Sequence, residues 1–264
     1  ENDIIFLCVH GAGLNALSFC LLASEIKKHA SLCSFDFNGH GNNKSNFQIT
    51  DFNFNSFCNQ LLTVMNYLIN SHPDTPIVLL GHSLGGSVCA HVSQDIESGD
   101  NQHLRNTLIG LILIDVVEGS ALEALPSMKS FLLNRPSYFN NLNEAIQYMV
   151  KTKTVSNLLS SQISTPGQLI ENENKFYWKV DLVKSEPYWN EWFNGMNKSF
   201  LNFTKPKILI LAQADRMDKE LTIAQMQGKF KLVVLGKTVG HLLHEDCPGD
   251  TAEQLFMFLK LFKI

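Results

Sequence analysis

The stretch IVLLGHSLGGS, residues 77–87, runs an apolar strand straight into a serine-centred turn and then into a helical pattern. A turn this tight leaves no room beside the chain. Ser83 is therefore expected in a strained backbone conformation, with Gly81, Gly85 and Gly86 standing where larger side chains would collide. The rest of the chain keeps the same rhythm. Apolar runs at 4–9, 32–37, 77–81, 108–115, 207–212 and 231–235 alternate with helical spacing at 16–28, 54–70, 84–97 and about 250–262. Strands that are apolar on both faces belong to a parallel sheet covered by helices on each side. The fold class is α/β, with a mostly parallel, doubly wound sheet.

Residues 119–205 interrupt that alternation. They hold Arg135-Pro136, Thr165-Pro166 and Glu186-Pro187, all three tryptophans (Trp178, Trp189, Trp192), and helical patterns with no evident strand between them. Because the sheet pattern resumes afterwards and no Gly/Ser-rich linker bounds the stretch, it reads as a helical cap on one domain spanning 1–264. The sheet core then comprises 1–118 and 206–264. Residues 171–175 read as a solvated loop inside the cap.

A formal charge of −4 without a basic patch argues against nucleic acid as a partner. No apolar run approaches the ~20 residues that span a bilayer, so no membrane partner is expected. The six cysteines are scattered and never form a C-x-x-C pair. They read as reduced core thiols, without a metal site or disulfide framework, which sets the expected location as cytoplasmic or nuclear.

The serine turn carries chemistry. It holds the Ser83 hydroxyl above the sheet at a helix N-terminus, where backbone N–H groups face a developing negative charge. A hydroxyl needs a base to take its proton. Of nine histidines, His241 follows the last strand and directly succeeds Gly240, ahead of His244 as the alternative. The third member is a carboxylate at a strand end, which fixes the tautomer of the base. Asp115 and Asp215 both qualify, and the usual order along such chains favours Asp215. Two backbone donors are expected to face the oxyanion: Leu84, after the nucleophile, and Ala12, in the His10-Gly11-Ala12-Gly13 loop after the first strand.

Beyond these general motifs, the chain resembles the protein phosphatase methylesterases, serine hydrolases of the α/β-hydrolase fold. The resemblance lies in IDVVEGSALEAL (114–125), MKSFLLNRP (128–136), EPYWNEWFNGM (186–196), DRMDKELTIAQMQGKF (215–230) and GHLLHEDCP (240–248). It implies an ester hydrolase that removes the methyl ester from the C-terminal leucine of the protein phosphatase 2A catalytic subunit, whose methylated tail is the expected partner. It places the nucleophile on Ser83, the base on His241 and the acid on Asp115 rather than Asp215. The family carries early strands ahead of the one leading to the His-Gly loop. This sequence begins almost directly on that strand, which leaves two readings open, a truncated sequence or a smaller sheet. The loop at 167–176 is short beside the acidic insertion of some relatives.

The chemistry implied is a two-step acyl transfer through an acyl-enzyme, with no cofactor and no metal. Tyr188, Trp189, Trp192 and Phe193 are candidate lining of a pocket beneath the cap. A small-molecule carboxylesterase using the same triad, and a phosphatase-binding protein without catalysis, are the alternative readings.

Overall fold

The computed structural model describes residues 4–43, 52–236 and 240–263. In chain order the first half runs β1 (Ile5–Val9), α1 (Cys20–Ile26), β2 (Ser31–Ser34), α2 (Phe54–Ser71), β3 (Ile77–His82), α3 (Leu84–Ser98), α4 (Gln102–Thr107) and β4 (Leu108–Ile114). An insertion follows: α5 (Glu118–Leu133), β5 (Tyr138–Phe139), α6 (Leu142–Lys151), α7 (Leu158–Ser164), β6 (Leu169–Asn172), β7 (Lys175–Trp178), α8 (Trp189–Phe193) and α9 (Met196–Asn202). The chain then returns through β8 (Lys207–Leu211), α10 (Lys219–Met226), β9 (Lys231–Val234), α11 (Leu243–Asp246) and α12 (Pro248–Phe262).

Six strands form one wholly parallel sheet in the order β2-β1-β3-β4-β8-β9. The central strands are apolar on both sides because both sides are covered. Along β1, Ile5, Leu7 and Val9 enter one core with Phe57, Leu61 and Trp192, while Phe6 and Cys8 enter another with Phe19, Leu255 and Phe258. The winding direction reverses between β1 and β3, and a parallel sheet opens a crevice beyond its carboxyl ends at such a reversal. Register keeps those ends level: Val9 pairs with Gly81, His82 with Ile114, and Ile114 with Ile210. The residues that follow, Gly11, Ser83, Asp115 and Ala212, therefore emerge side by side.

Three local expectations are corrected. The insertion is not wholly helical, for it holds a three-stranded antiparallel sheet in the order β5-β7-β6. Its strands are two to four residues long, too short to show a period in the sequence. The 171–175 stretch is the tip of its hairpin. Exposed Glu173 and Asn174 turn the chain there at φ 48° and 59°, in the left-handed region. Strand β2 ends at Ser34 rather than 37, because Asp36 turns its carboxylate back to accept from Ala16 N–H at 2.7 Å and Asn42 N–H at 2.8 Å. Cys20 is exposed at the start of α1, whereas Cys8, Cys58 and Cys89 are buried, and all six thiols are free.

The turn after β3 is closed by backbone contact. A methyl group on Gly85 would strike the carbonyl oxygens of Val9 and His10, and one on Gly86 would come within 2.6 Å of Val116 Cγ1. Neither obstacle on Gly85 is a flexible side chain, so the strand ends would have to separate. Gly85→Ala is expected to lower unfolding free energy by about 1–3 kcal/mol, read as a lower urea midpoint at unchanged slope. An unchanged midpoint would show that the turn has slack.

Candidate active site

Ser83 caps α3 with φ 52° and ψ −123°, the left-handed strain anticipated from its glycine neighbours. Its N–H donates to Ile114 O at 3.2 Å, and its carbonyl accepts from Gly86 N–H at 2.8 Å. The loop after β1 presses on this turn: a Cβ on Gly11 would lie 3.2 Å from Ser83 Cβ and 3.0 Å from His82 Nδ1. Leu84 is buried as the first residue of α3, and Ala12 shares a cavity wall with Ser83.

Two buried histidines brace that loop. His10 accepts Phe37 N–H at Nε2 (3.1 Å) and donates Nδ1–H to Gly11 O (2.8 Å). His40 accepts Gly13 N–H at 3.1 Å. Burial pushes their pKa values down to about 4 and about 3, so both serve as neutral struts.

Asp115 has no exposed side-chain surface and sits at φ 50°. Its Oδ1 accepts Ala212 N–H at 2.8 Å, while Oδ2 takes both His241 Nδ1, at 2.7 Å, and Arg216 Nη1. A carboxylate only accepts, so the His241 proton lies on Nδ1 and Nε2 is the basic nitrogen. The His241 side chain is 44% exposed. Ser83, Asp115, His241 and Arg216 line one cavity of about 450 Å³, together with Val116, Val117, Met128 and Phe193. The structure thus brings Ser83, His241 and Asp115 together. Asp215, favoured by chain order, is exposed on the turn after β8.

Arg216 was missed by sequence reasoning, though its place directly after a candidate acid at a strand end was a usable signal. His82 also bears on His241 and holds its backbone in place: its Nε2–H donates to the His241 carbonyl at 2.9 Å. Burial, then the neighbouring His241 and His244, holds the His82 pKa well below the ordinary value. His244 is fully buried and stacks on Phe19 with ring centres 4.5 Å apart. Neither of its ring nitrogens has a partner, and burial lowers its pKa to about 3. It packs the core instead of serving as the exposed base. Of the aromatic candidates in the cap, Trp189 and Trp192 border a second cavity at Ser83, and Phe193 borders the first. Tyr188 packs against Phe52.

The loop carrying His241 is tied to the insertion by the two carboxylates that follow. Asp246 accepts from Ser156 N–H at 2.6 Å and Gly240 N–H at 3.3 Å. Glu245 is buried and accepts from Ser160 Oγ at 2.7 Å and Ser164 Oγ at 2.6 Å, while its Oε1 has no partner. Burial raises its pKa to about 7 against those hydroxyl bonds, which pull it down. The folded state therefore retains a proton that the unfolded chain releases from the ordinary carboxylate range upward. That stabilising difference is complete at low pH and is lost as pH rises through about 7. Glu245→Gln keeps a neutral group at every pH. Its stability relative to wild type is expected to improve by about 2 kcal/mol between pH 5 and pH 8, measured by urea unfolding. A difference independent of pH would contradict this reading.

Residues 6–254 match the alpha/beta hydrolase family. The chain is 37% identical to protein phosphatase methylesterase 1 of Gibberella zeae, over 97% of this chain and 65% of that protein. It is also 37% identical to protein phosphatase methylesterase 1 of Schizosaccharomyces pombe, over 97% of this chain and 74% of that protein. The chain thus spans about two thirds to three quarters of the length of these relatives. The crystal structure of E-2-(acetamidomethylene)succinate hydrolase superposes with a TM-score of 0.79 at 15% identity, covering 98% of this chain and 92% of that one, which shows a shared fold. Agreement in sequence along nearly the whole chain, and in the architecture beneath it, places this protein in the alpha/beta hydrolase family, among the protein phosphatase methylesterases.

Proposed function

We propose that the chain is a carboxylic ester hydrolase that removes the methyl ester from the C-terminal leucine of the protein phosphatase 2A catalytic subunit. The observation that carries the chemistry is the 2.7 Å contact of His241 Nδ1 with buried Asp115, in one cavity with the strained Ser83. The named relatives support the substrate.

In the first step His241 Nε2 takes the Ser83 proton as Oγ attacks the ester carbon. The oxyanion forms against the N–H groups of Leu84 and Ala12. Collapse breaks the bond to the methoxy oxygen, and imidazolium returns the proton so that methanol leaves. In the second step His241 deprotonates water, water attacks the acyl-Ser83 carbonyl, and Ser83 departs with the proton, releasing the free carboxylate. Asp115 keeps the base in the correct tautomer and offsets the imidazolium charge in both steps. None of these transfers calls for a metal or organic cofactor.

Methylated phosphatase catalytic subunit incubated with the chain is expected to lose its methyl group as methanol. Turnover of short acyl esters with no loss from the phosphatase would assign a small-molecule carboxylesterase instead. Binding of the phosphatase with no ester turnover at all would assign a non-catalytic partner. Ser83→Ala is expected to abolish both hydrolysis and labelling by a fluorophosphonate probe, and a labelled variant would move the nucleophile elsewhere. Asp115→Asn is expected to cost about 10⁴ in turnover by mis-setting the tautomer, with Asp215→Asn costing far less. The reverse ranking would overturn the acid assignment.

A further inference from the structure

At the end of the sheet opposite Ser83, a cavity of about 400 Å³ crosses the amino ends of β8 and β9. Ile208 pairs with Lys231, so the two strands begin side by side. The five residues of β8, about 16 Å at ~3.3 Å per residue, separate this cavity from the carboxyl ends where the candidate active site lies. Lys205, Lys207, Lys229 and Lys231 line it with Phe230 and Phe262, and no carboxylate is among its described walls. The four lysines are spread from 205 to 231 in the sequence and converge only in the fold.

Lys207 sets the character of the cavity. Only 5% of it is exposed. Its Nζ donates to the carbonyls of Leu201, at 3.2 Å, and Phe203, where α9 closes. Lys205 is half-buried and donates to the carbonyls of Leu108, at 2.6 Å, and Arg105, where α4 closes. A helix end supplies about half a negative charge, so each ammonium keeps part of its charge unanswered and one of its N–H donors unused. Glu97 bears on both groups, yet its carboxylate accepts from the Thr204 N–H, at 2.8 Å, and the Thr204 hydroxyl. Among the described residues no carboxylate forms an ion pair with any of the four lysines. Burial lowers the pKa of Lys205 and Lys207 against the pull of Glu97, and Lys229 lowers that of Lys207 further. The fold thus gathers positive charge at a buried point without neutralising it, which is costly unless an anion answers it.

We propose that this cavity binds an organic phosphate, whose phosphoryl group accepts from Lys205 and Lys207 between Lys229 and Lys231 and whose carbon body lies on Phe230 and Phe262. A phosphate dianion carries the charge and the oxygens to meet several ammonium groups at once, and lysine serves it as a point charge. The volume lies within the range of about 300–1,000 Å³ that holds small organic ligands, and the aromatic wall gives such a body somewhere to rest. The group has two sources, a free phosphate ester or a phosphorylated side chain of another protein. The site stands apart from Ser83 and does not rest on the proposed function.

Titration calorimetry of the whole chain at low ionic strength compares phenyl phosphate, inorganic phosphate and benzoate. Phenyl phosphate is expected to bind at least about 10-fold more tightly than either, because only it supplies both the dianion and the ring, and to weaken as salt is added. Lys207→Met is expected to weaken it about 10- to 100-fold. Lys229→Gln combined with Lys231→Gln is expected to weaken it about 3- to 10-fold. That double variant breaks no ion pair among the described residues, so it keeps the test sharp even if Lys207→Met does not fold. Wild-type affinity in the double variant, equal binding of benzoate or inorganic phosphate, or no heat with phenyl phosphate would overturn the inference. A chain blocked at Ser83 by a fluorophosphonate is expected to bind phenyl phosphate unchanged. Loss of binding there would put the ligand in the candidate active site and overturn it as well. N-acetyl-Gly-phosphotyrosine-Gly-amide separates the sources: tighter binding than phenyl phosphate, weakened by the same double variant, assigns a phosphorylated protein side chain, and weaker binding assigns a free ester.

Discussion

The carboxylate of Asp115 is shut away from water, and the arrangement of this site follows from how the fold answers its charge. A buried carboxylate without partners is strongly disfavoured. Here one oxygen accepts Ala212 N–H from the end of β8, and the other accepts His241 and Arg216. Each partner comes from a different segment, so the acid joins the ends of β4 and β8, the turn after β8 and the loop before α11. Removing it would leave His241 without its hydrogen-bond partner at Nδ1 and Arg216 without its counter-charge. The buried pair is for this reason a geometric device more than a source of stability.

Ser83 is fixed by the complementary device, steric rather than electrostatic. The turn at φ 52° is enclosed by the ends of β1 and β3 and the first turn of α3, with glycine at each point where two backbones touch. His10 and His40 then hold the surrounding loops with neutral rings that each use one donor and one acceptor nitrogen, and His82 donates from Nε2 to the His241 carbonyl. Ser83, the proposed nucleophile, thus rests on the rigid centre of the sheet. His241, the proposed base, sits on a loop held by His82 and by Asp246, which also ties that loop to the insertion. The insertion sets the walls on both sides of Ser83: α5 and Phe193 beside Asp115, and the tryptophans with Arg135 and Gln168 on the other.

Most of the sheet and the serine turn were legible in the sequence because both are written in contiguous residues. An apolar run, three glycines and a helical pattern need no distant partner to be recognised. His241 was reachable from its place after the last strand. The acid was not, since Asp115 and Asp215 each end an apolar strand and only the three-dimensional path of the chain separates them. The resemblance to a known family made that choice, and in the structure Asp115, not Asp215, lies within 2.7 Å of His241 Nδ1. The roles of Arg216 and His82 were hidden for the same reason, as each acts through a residue far away in the chain. The small sheet of the insertion escaped notice because two to four residues cannot display a period, and its hairpin turn looked like any polar loop.

The most direct test of the account is to find where the acyl group resides during turnover. A peptide methyl ester mixed with the chain, quenched in acid within one turnover and digested, is to be mapped by mass spectrometry. The account predicts a mass increase equal to the peptidyl acyl group on the fragment containing Ser83, and its disappearance at longer times. An adduct on another residue, or steady hydrolysis with no adduct in a chain that shows burst release of methanol, would contradict it.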